Sequence, residues 1–347
     1  MNAIKTIGIV ALSCGLVGEI GMRAQRELGE SRLEKMGLKV KYMPNALSGM
    51  DYLGKHPEAR AADLLAAYRD PEVDMILCDI GGDDTYRLLP YLFDNGELES
   101  VVNDKPFLGF SDTTINHFMI RRAGGRCFYG QCFISEICEP SKDMLPYSEH
   151  YFRELVRLGT INTIEPADEW YEDRESYGED QIGVPLVPHR DRGFELLQGR
   201  GVFSGEILGG CIESMYDLLA GCWHADMPGL CEKYGIFPSL DEWRGKILLL
   251  EPSELKIEPK LFLMALTKIK RTGVFSVVSG VIMGKPMDEA YDSEYKRLLC
   301  EIIDDPGLPV VCNINIGHAM PRCIIPLGVP AVVDTELQMI VFDNDRK

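Results

Sequence analysis

The 347-residue chain contains no apolar run approaching the ~18 residues that a membrane-crossing helix needs, so nothing in it reads as a span. It also lacks positive charge in excess. Lys and Arg number 36 against 54 Asp and Glu, leaving a formal charge of −18. A surface that acidic repels phosphate backbones and argues against nucleic-acid binding. No Cys-x-x-Cys pair is followed by a second pair at zinc spacing, and the eleven cysteines are odd in number and scattered. Neither a disulfide framework nor a zinc ribbon is indicated, and buried thiols in a reducing cytoplasm are the plainer reading. Internal repeats and low-complexity tracts are absent as well. What remains is 46% hydrophobic and 26% charged, the balance of a globular protein with a substantial core. The length suits one large domain or two ordinary ones.

The amino-terminal half alternates strand-like and helix-like patterns. Strands are expected near 6–12, 38–43, 73–80, 106–110 and 126–130, with helices near 17–35, 58–69, 85–93 and 113–122. That alternation predicts a doubly wound parallel sheet, with ligands beyond the carboxyl ends of the strands, after residues 12, 80 and 110. Lys5, the apolar run Thr6 to Leu12 and Cys14 loosely imitate a lipoprotein signal. The run is short and one basic residue precedes it, so a buried first strand explains it better. Residues 165–181 are polar, acidic and aromatic without a clean period, as a linker or functional loop would be. A second set of elements begins near Val202. It includes Lys246–Leu250, Val274–Met283, Pro309–Ile316 and a β-rich stretch from Ile324 to Phe342. The expected division is 1–165, a linker or substrate loop over 166–195, and 196–347.

Three strand ends carry residues with chemical potential. In Leu108-Gly-Phe-Ser-Asp-Thr-Thr114, an apolar strand runs into a helical pattern. A serine there sits on a sharp turn, with the following N–H, that of Asp112, able to face a developing oxyanion. Thr113 replaces the second glycine of the usual nucleophile elbow, and Ser111 could equally cap the helix. In Asp79-Ile-Gly-Gly-Asp-Asp84, Gly81 and Gly82 permit close backbone approach to a ligand, or simply form a tight turn. Leu248-Leu-Leu-Glu251 ends a strand in a carboxylate, and Ile316-Gly-His318 ends another in an imidazole. Each alone is as consistent with a surface or satisfied core group. Together with Ser111 they give the order Ser, Glu, His used by α/β-hydrolases, in which imidazole takes the serine proton and the carboxylate orients the imidazole. Of the other histidines, His117 falls within a helical pattern, His56 precedes Pro57 in a turn, His189 lies in the linker, and His150 and His224 have no ligand-spaced partner, so no metal site is expected.

These segments together resemble the LD-carboxypeptidase and microcin C immunity protein family of serine peptidases. The resemblance runs through Arg60–Pro71, Ile80–Gly82, Arg87–Leu92, Gly109–Thr114, Gly209–Glu213, Lys246–Glu251, Gly317–Pro321, Ile325–Gly328 and Asp334. It implies an α/β architecture: a flavodoxin-like doubly wound parallel-sheet domain, then a smaller α/β C-terminal domain, commonly as a homodimer. It implies Ser111 as nucleophile, His318 as general base and Glu251 as the orienting acid. The oxyanion hole would use the N–H of Asp112 and one from Gly81-Gly82. No metal or organic cofactor is implied.

One branch of that family cleaves an L,D-peptide bond in murein tetrapeptides. The other cleaves the bond between an aminoacyl group and a nucleotide-like amide or phosphoramide. The chain looks more like the second. Its length and the segment Trp170-Tyr-Glu-Asp-Arg-Glu-Ser-Tyr177 are similar to that branch, where a tryptophan stacks on the nucleobase. Tyr177 would take that position, and Trp170 and Tyr177 are the candidate substrate-binding residues; both could instead anchor the linker. Leu12, Pro252 and Tyr171 depart from the family pattern at places often held by proline, an acidic residue and serine. The expectation is a cytoplasmic serine hydrolase acting on a small peptide or aminoacyl-nucleotide substrate. A non-catalytic binding module and a Cys127 nucleophile are the competing readings.

Overall fold

The five apolar segments of the amino-terminal half become five parallel strands. They are β1 (Thr6–Val10), β2 (Lys39–Tyr42), β3 (Met75–Cys78), β4 (Pro106–Gly109) and β5 (Arg126–Tyr129) in the computed structural model, which describes residues 3–344. Neighbouring pairings give the order β5-β4-β3-β1-β2. Read from the other edge this is 2-1-3-4-5, the flavodoxin-like order, with its switch point between β1 and β3. β3 and β4 are buried at every position, as expected of strands covered on both faces. The main helices are Arg23–Lys35, Pro57–Arg69, Thr113–Arg122 and Pro146–Leu158. Two of them begin with proline, whose missing N–H costs nothing in a first helical turn. The apolar run after Lys5 is thus a buried strand.

The chain divides into two compact units. The first comprises 1–159, 174–186 and 229–236, and the second 160–173, 187–228 and 237–347. The second unit holds β6 (Thr163–Ile164), β7 (Glu169–Tyr171), β8 (Pro188–Arg190), β9 (Glu195–Gln198), β10 (Val202–Cys211), β11 (Ile247–Glu251), β12 (Gly280–Gly284), β13 (Val310–Ile314), β14 (Ile325–Leu327), β15 (Pro330–Asp334) and β16 (Met339–Phe342). Its main sheet has the order β6-β16-β15-β10-β11-β12-β13-β9. The four central strands β10 to β13 are parallel, and the flanking pairings are antiparallel. Helices Ile212–Ala220, Pro259–Arg271 and Asp292–Ile303 make the crossovers. Both units are α/β.

Residues 165–181 contain more order than their composition suggests. β7 pairs antiparallel with β8, placing Trp170 directly opposite His189. The partner strand lies nearly twenty residues downstream, so no local period marks the ribbon. The segment 274–283 likewise divides, into a 3₁₀ turn at Val274–Ser276 and the strand β12. No helix among the described residues is long and apolar enough to cross a membrane.

Candidate active site

In the first unit, β4 ends at Gly109 and the helix at Thr113 begins almost at once. The short turn forces Ser111 into the left-handed region, at φ 66°. For a residue with a Cβ that costs on the order of 1–3 kcal/mol, so surrounding contacts must hold it. The Tyr129 hydroxyl accepts the Ser111 N–H at 3.1 Å. The Ser111 carbonyl accepts from the Thr114 hydroxyl at 2.7 Å and the Thr114 N–H at 2.9 Å. The Ser111 hydroxyl makes no hydrogen bond among the described residues, so it caps no helix.

Gly81 packs directly against this serine. A Cβ there would lie 2.7 Å from the Ser111 Cβ and 2.9 Å from its Oγ. The N–H groups of Gly81, Gly82 and Asp112 find no acceptor among the described residues. Donors left open around a nucleophilic hydroxyl suit a developing oxyanion. The Asp112 carboxylate instead accepts from the Ser13 hydroxyl at 2.7 Å and from the Thr85 N–H at 3.0 Å. Burial pushes its pKa up to about 6 against those two hydrogen bonds. Arg60, fully buried, donates to the Leu12 and Ser13 carbonyls and pairs with Asp84, fixing the turn after β1.

In the second unit, Glu251 ends β11 and His318 follows β13, beyond the carboxyl ends of the parallel strands. Glu251 Oε2 lies 2.8 Å from His318 Nδ1, and both side chains are buried. The second ring nitrogen is also taken: Glu254 Oε2 lies 2.9 Å from Nε2. An imidazole facing two carboxylates satisfies both only as the imidazolium, which donates from each nitrogen. Burial alone lowers the His318 pKa, but the charges and hydrogen bonds of Glu251 and Glu254 outweigh it and raise it to about 10. Glu213, at the start of the helix after β10, accepts the Ser253 N–H with both oxygens, at 3.0 and 3.2 Å. Burial first, and the neighbouring Glu251 charge second, push Glu213 up to about 7. Arg322 donates to the Gly317 and His318 carbonyls and holds the imidazole-bearing segment.

The structure thus gathers Ser111, Asp112, Gly81 and Gly82 in one unit, and Glu251 and His318 in the other. Trp170 and Tyr177 fall in different units. Trp170 is 7% exposed and stacks on His189 at 4.5 Å, with the Lys285 ammonium 5.4 Å from its ring centre. Tyr177 is 43% exposed, and its carbonyl accepts from Gln25 at 2.8 Å. Cys127 is fully buried, and burial pushes its thiol up to about 12, far from a reactive thiolate. Among the described residues, no group of three or more His, Cys, Asp and Glu is placed to hold a metal ion.

Sequence reasoning missed Glu254 and the role of Glu213. Glu254 stands three residues after Glu251 in a loop without periodicity, so spacing gives no signal. Glu213 was visible only as the end of a glycine-containing segment. Its significance depends on the lateral pairing of β10 with β11, which sets Cys211 opposite Glu251.

A family model described as the LD-carboxypeptidase N-terminal domain matches residues 7–130, and one described as the LD-carboxypeptidase C-terminal domain matches 204–333. The microcin C7 self-immunity protein MccF of Escherichia coli is 27% identical over 328 residues, covering 91% of this chain and 85% of that protein. The crystal structure of an MccF-like protein from Streptococcus pneumoniae in complex with AMP is 51% identical, with a TM-score of 0.98 over 99% of this chain and 100% of that one. The structure of MccF in complex with glutamyl sulfamoyl guanosine shares 21% identity and a TM-score of 0.78, over 99% and 97% of the respective chains, a likeness of fold. With the first family domain covering all five strands of the flavodoxin-like sheet and the second covering β11 to β13 with their Glu251 and His318, the chain belongs to the LD-carboxypeptidase family.

Proposed function

We propose that this protein is a serine hydrolase that cleaves an amide-type bond through an acyl-enzyme. Ser111 is the nucleophile, His318 the general base and Glu251 the acid behind it. The observation that carries the reading is the buried Glu251–His318 pair at 2.8 Å. A carboxylate on Nδ1 fixes the tautomer, and Nε2 is the nitrogen that takes the nucleophile's proton once it is no longer paired with Glu254. The strained Ser111 turn, whose hydroxyl and neighbouring N–H groups make no hydrogen bond among the described residues, is what the other half of such chemistry requires.

Nε2 of neutral His318 takes the Ser111 proton as Oγ bonds to the scissile carbonyl carbon. The oxyanion is received by the N–H of Asp112 and one from Gly81-Gly82. His318 returns the proton to the departing nitrogen as the C–N bond breaks. Water, deprotonated by the same imidazole, then releases the acid from Ser111.

The substrate class we favour is a peptidyl- or aminoacyl-nucleotide. The 51% identical Streptococcus pneumoniae protein was solved with AMP, and the fold-level neighbour MccF with glutamyl sulfamoyl guanosine. Tyr177 is 43% exposed, and the face of a tyrosine ring can stack on a base, an interaction worth about 1–3 kcal/mol elsewhere. Trp170, stacked on His189, acts through the ribbon it anchors.

The test compares hydrolysis of aminoacyl-sulfamoyl-adenosine with that of a murein L,D-tetrapeptide, alongside labelling by a fluorophosphonate. Turnover of the nucleotide substrate with labelling at Ser111 is expected. Turnover of the tetrapeptide alone would place the chain in the murein branch. Absence of both turnover and labelling would leave a binding module.

A further inference from the structure

Glu254 does something that a triad does not need. Its carboxylate lies 2.9 Å from His318 Nε2, the nitrogen that must be vacant and unprotonated to accept a serine proton. While Glu254 sits there, His318 is an imidazolium held between two anions and is no base. A device that disables the base is useful only if substrate removes it.

The loop after β11 permits removal. The Glu254 side chain is 54% exposed, whereas that of Glu251 is fully buried. Charge decides what would draw Glu254 away. Among the described residues, the charged groups that act on the imidazole include Glu251 at the end of β11, Glu254 on the following loop and Glu213 at the start of the helix after β10, while Arg322 donates to the His318 carbonyl. Three carboxylates thus act on one imidazole, against the Arg322 guanidinium on its backbone carbonyl. When His318 is neutral, the pocket carries a surplus of negative charge, which favours a cation and disfavours an anion.

An aminoacyl substrate carries such a cation in the right place. Its α-ammonium is two bonds from the scissile carbonyl carbon, and that carbon is attacked by a hydroxyl within roughly 3 Å of Nε2. The ammonium therefore arrives within the swing of a carboxylate already touching Nε2. We propose that Glu254 is a specificity and positioning residue. It binds the free α-ammonium of the acyl group, and by moving from Nε2 to that ammonium it releases His318 to act as base. Without a cationic acyl group, Glu254 keeps the imidazole protonated and the enzyme idle. This inference rests on the triad reading above and narrows its substrate to acyl groups with a free amine. The transfer exchanges one charge-assisted hydrogen bond for another, and the imidazolium proton leaves to solvent as the carboxylate departs.

The experiment uses aminoacyl-sulfamoyl-adenosine and its N-acetyl counterpart with the wild-type chain, Glu254→Gln and Ser111→Ala. Wild type is expected to prefer the free amine in kcat/KM by roughly ten- to a hundredfold, the range for a charged hydrogen bond. Glu254→Gln should bring that ratio close to one. It should also shift the rising limb of the kcat/KM–pH profile for the N-acetyl substrate to lower pH, because the imidazolium has lost one counter-charge. Ring-nitrogen NMR of His318 without substrate gives a second readout: the imidazolium should persist above pH 8 in wild type and be lost there in Glu254→Gln. An unchanged ratio with an unchanged ring titration overturns the proposal. If Ser111→Ala abolishes turnover while Glu254→Gln changes neither, only this inference fails. If Ser111→Ala still turns over, the triad reading fails and takes this inference with it.

Discussion

Gly317 stands against Glu251 so closely that a Cβ on the glycine would lie 2.7 Å from the Glu251 Cβ and 2.8 Å from its carboxyl carbon. The glycine also sits at φ +90°, where side chains are strained. The acid–imidazole contact therefore depends on a missing side chain as much as on the two that touch. Gly317→Ala is expected to push His318 off Glu251 and cost on the order of 1–3 kcal/mol in stability. Activity should fall further than stability explains, as parallel thermal melts and kinetics would reveal. Wild-type kinetics in this variant would contradict the role given to the pair.

Glu251→Gln keeps the size of the side chain but removes the charge that stabilises the imidazolium formed during proton transfer. A loss in kcat of about 10⁴-fold is expected, in line with amide replacement of a triad carboxylate. KM should change little, and steady-state kinetics separates the two. A loss below about tenfold would argue that His318 is not the base.

Gly81→Ala tests the other half-site. The new methyl would meet the Ser111 Cβ and Oγ well inside van der Waals contact. Displacement of Ser111 from its strained turn should slow fluorophosphonate labelling at least tenfold, with a stability loss of about 1–3 kcal/mol. Mass spectrometry of the labelled peptide provides the measurement, and unimpaired labelling would disprove the close approach.

Glu213 gives a signed pH dependence. Its folded pKa is raised from the ordinary 4.5 to about 7 by burial and by Glu251. The folded state thus binds the proton more tightly than the unfolded state. The associated stability is complete below pH 4.5 and is lost as the pH rises through about 7. Glu213→Gln removes this dependence while retaining an oxygen acceptor for the Ser253 N–H. Its melting temperature relative to wild type should rise between pH 5 and pH 8, by the equivalent of about 1–3 kcal/mol. A constant difference across that range would show that Glu213 is ionised throughout.

Cys127→Ala should leave turnover intact, since burial keeps that thiol protonated. Alkylating reagents should not inhibit the native enzyme through this residue. Inactivation of the variant without unfolding, judged by circular dichroism, would revive the thiol nucleophile.

Much of the fold was legible because its strands are buried on both faces. Continuous apolar runs such as Met75–Cys78 and Phe107–Gly109 announce themselves without knowledge of their neighbours. The helix Thr113–Arg122 was visible from its own composition for the same reason. The β7–β8 ribbon was not, because Trp170 meets His189 across a long sequence gap. Ser111, Glu251 and His318 could be singled out because each stands at an abrupt end of an apolar run. Glu254 and Glu213 could not, because what makes them matter is the imidazole and the carboxylate that folding sets beside them.

The order of residues alone determined the strands, the crossover helices and the strand ends where polar side chains emerge, since local periodicity and turn chemistry are properties of neighbouring residues. Tertiary structure alone decided the charge state around His318. Two carboxylates reach its two nitrogens, and burial beside Glu251 raises the proton affinity of a third, Glu213. Proton affinity is set by distance and desolvation among groups remote in sequence, and those quantities exist only once the chain has folded.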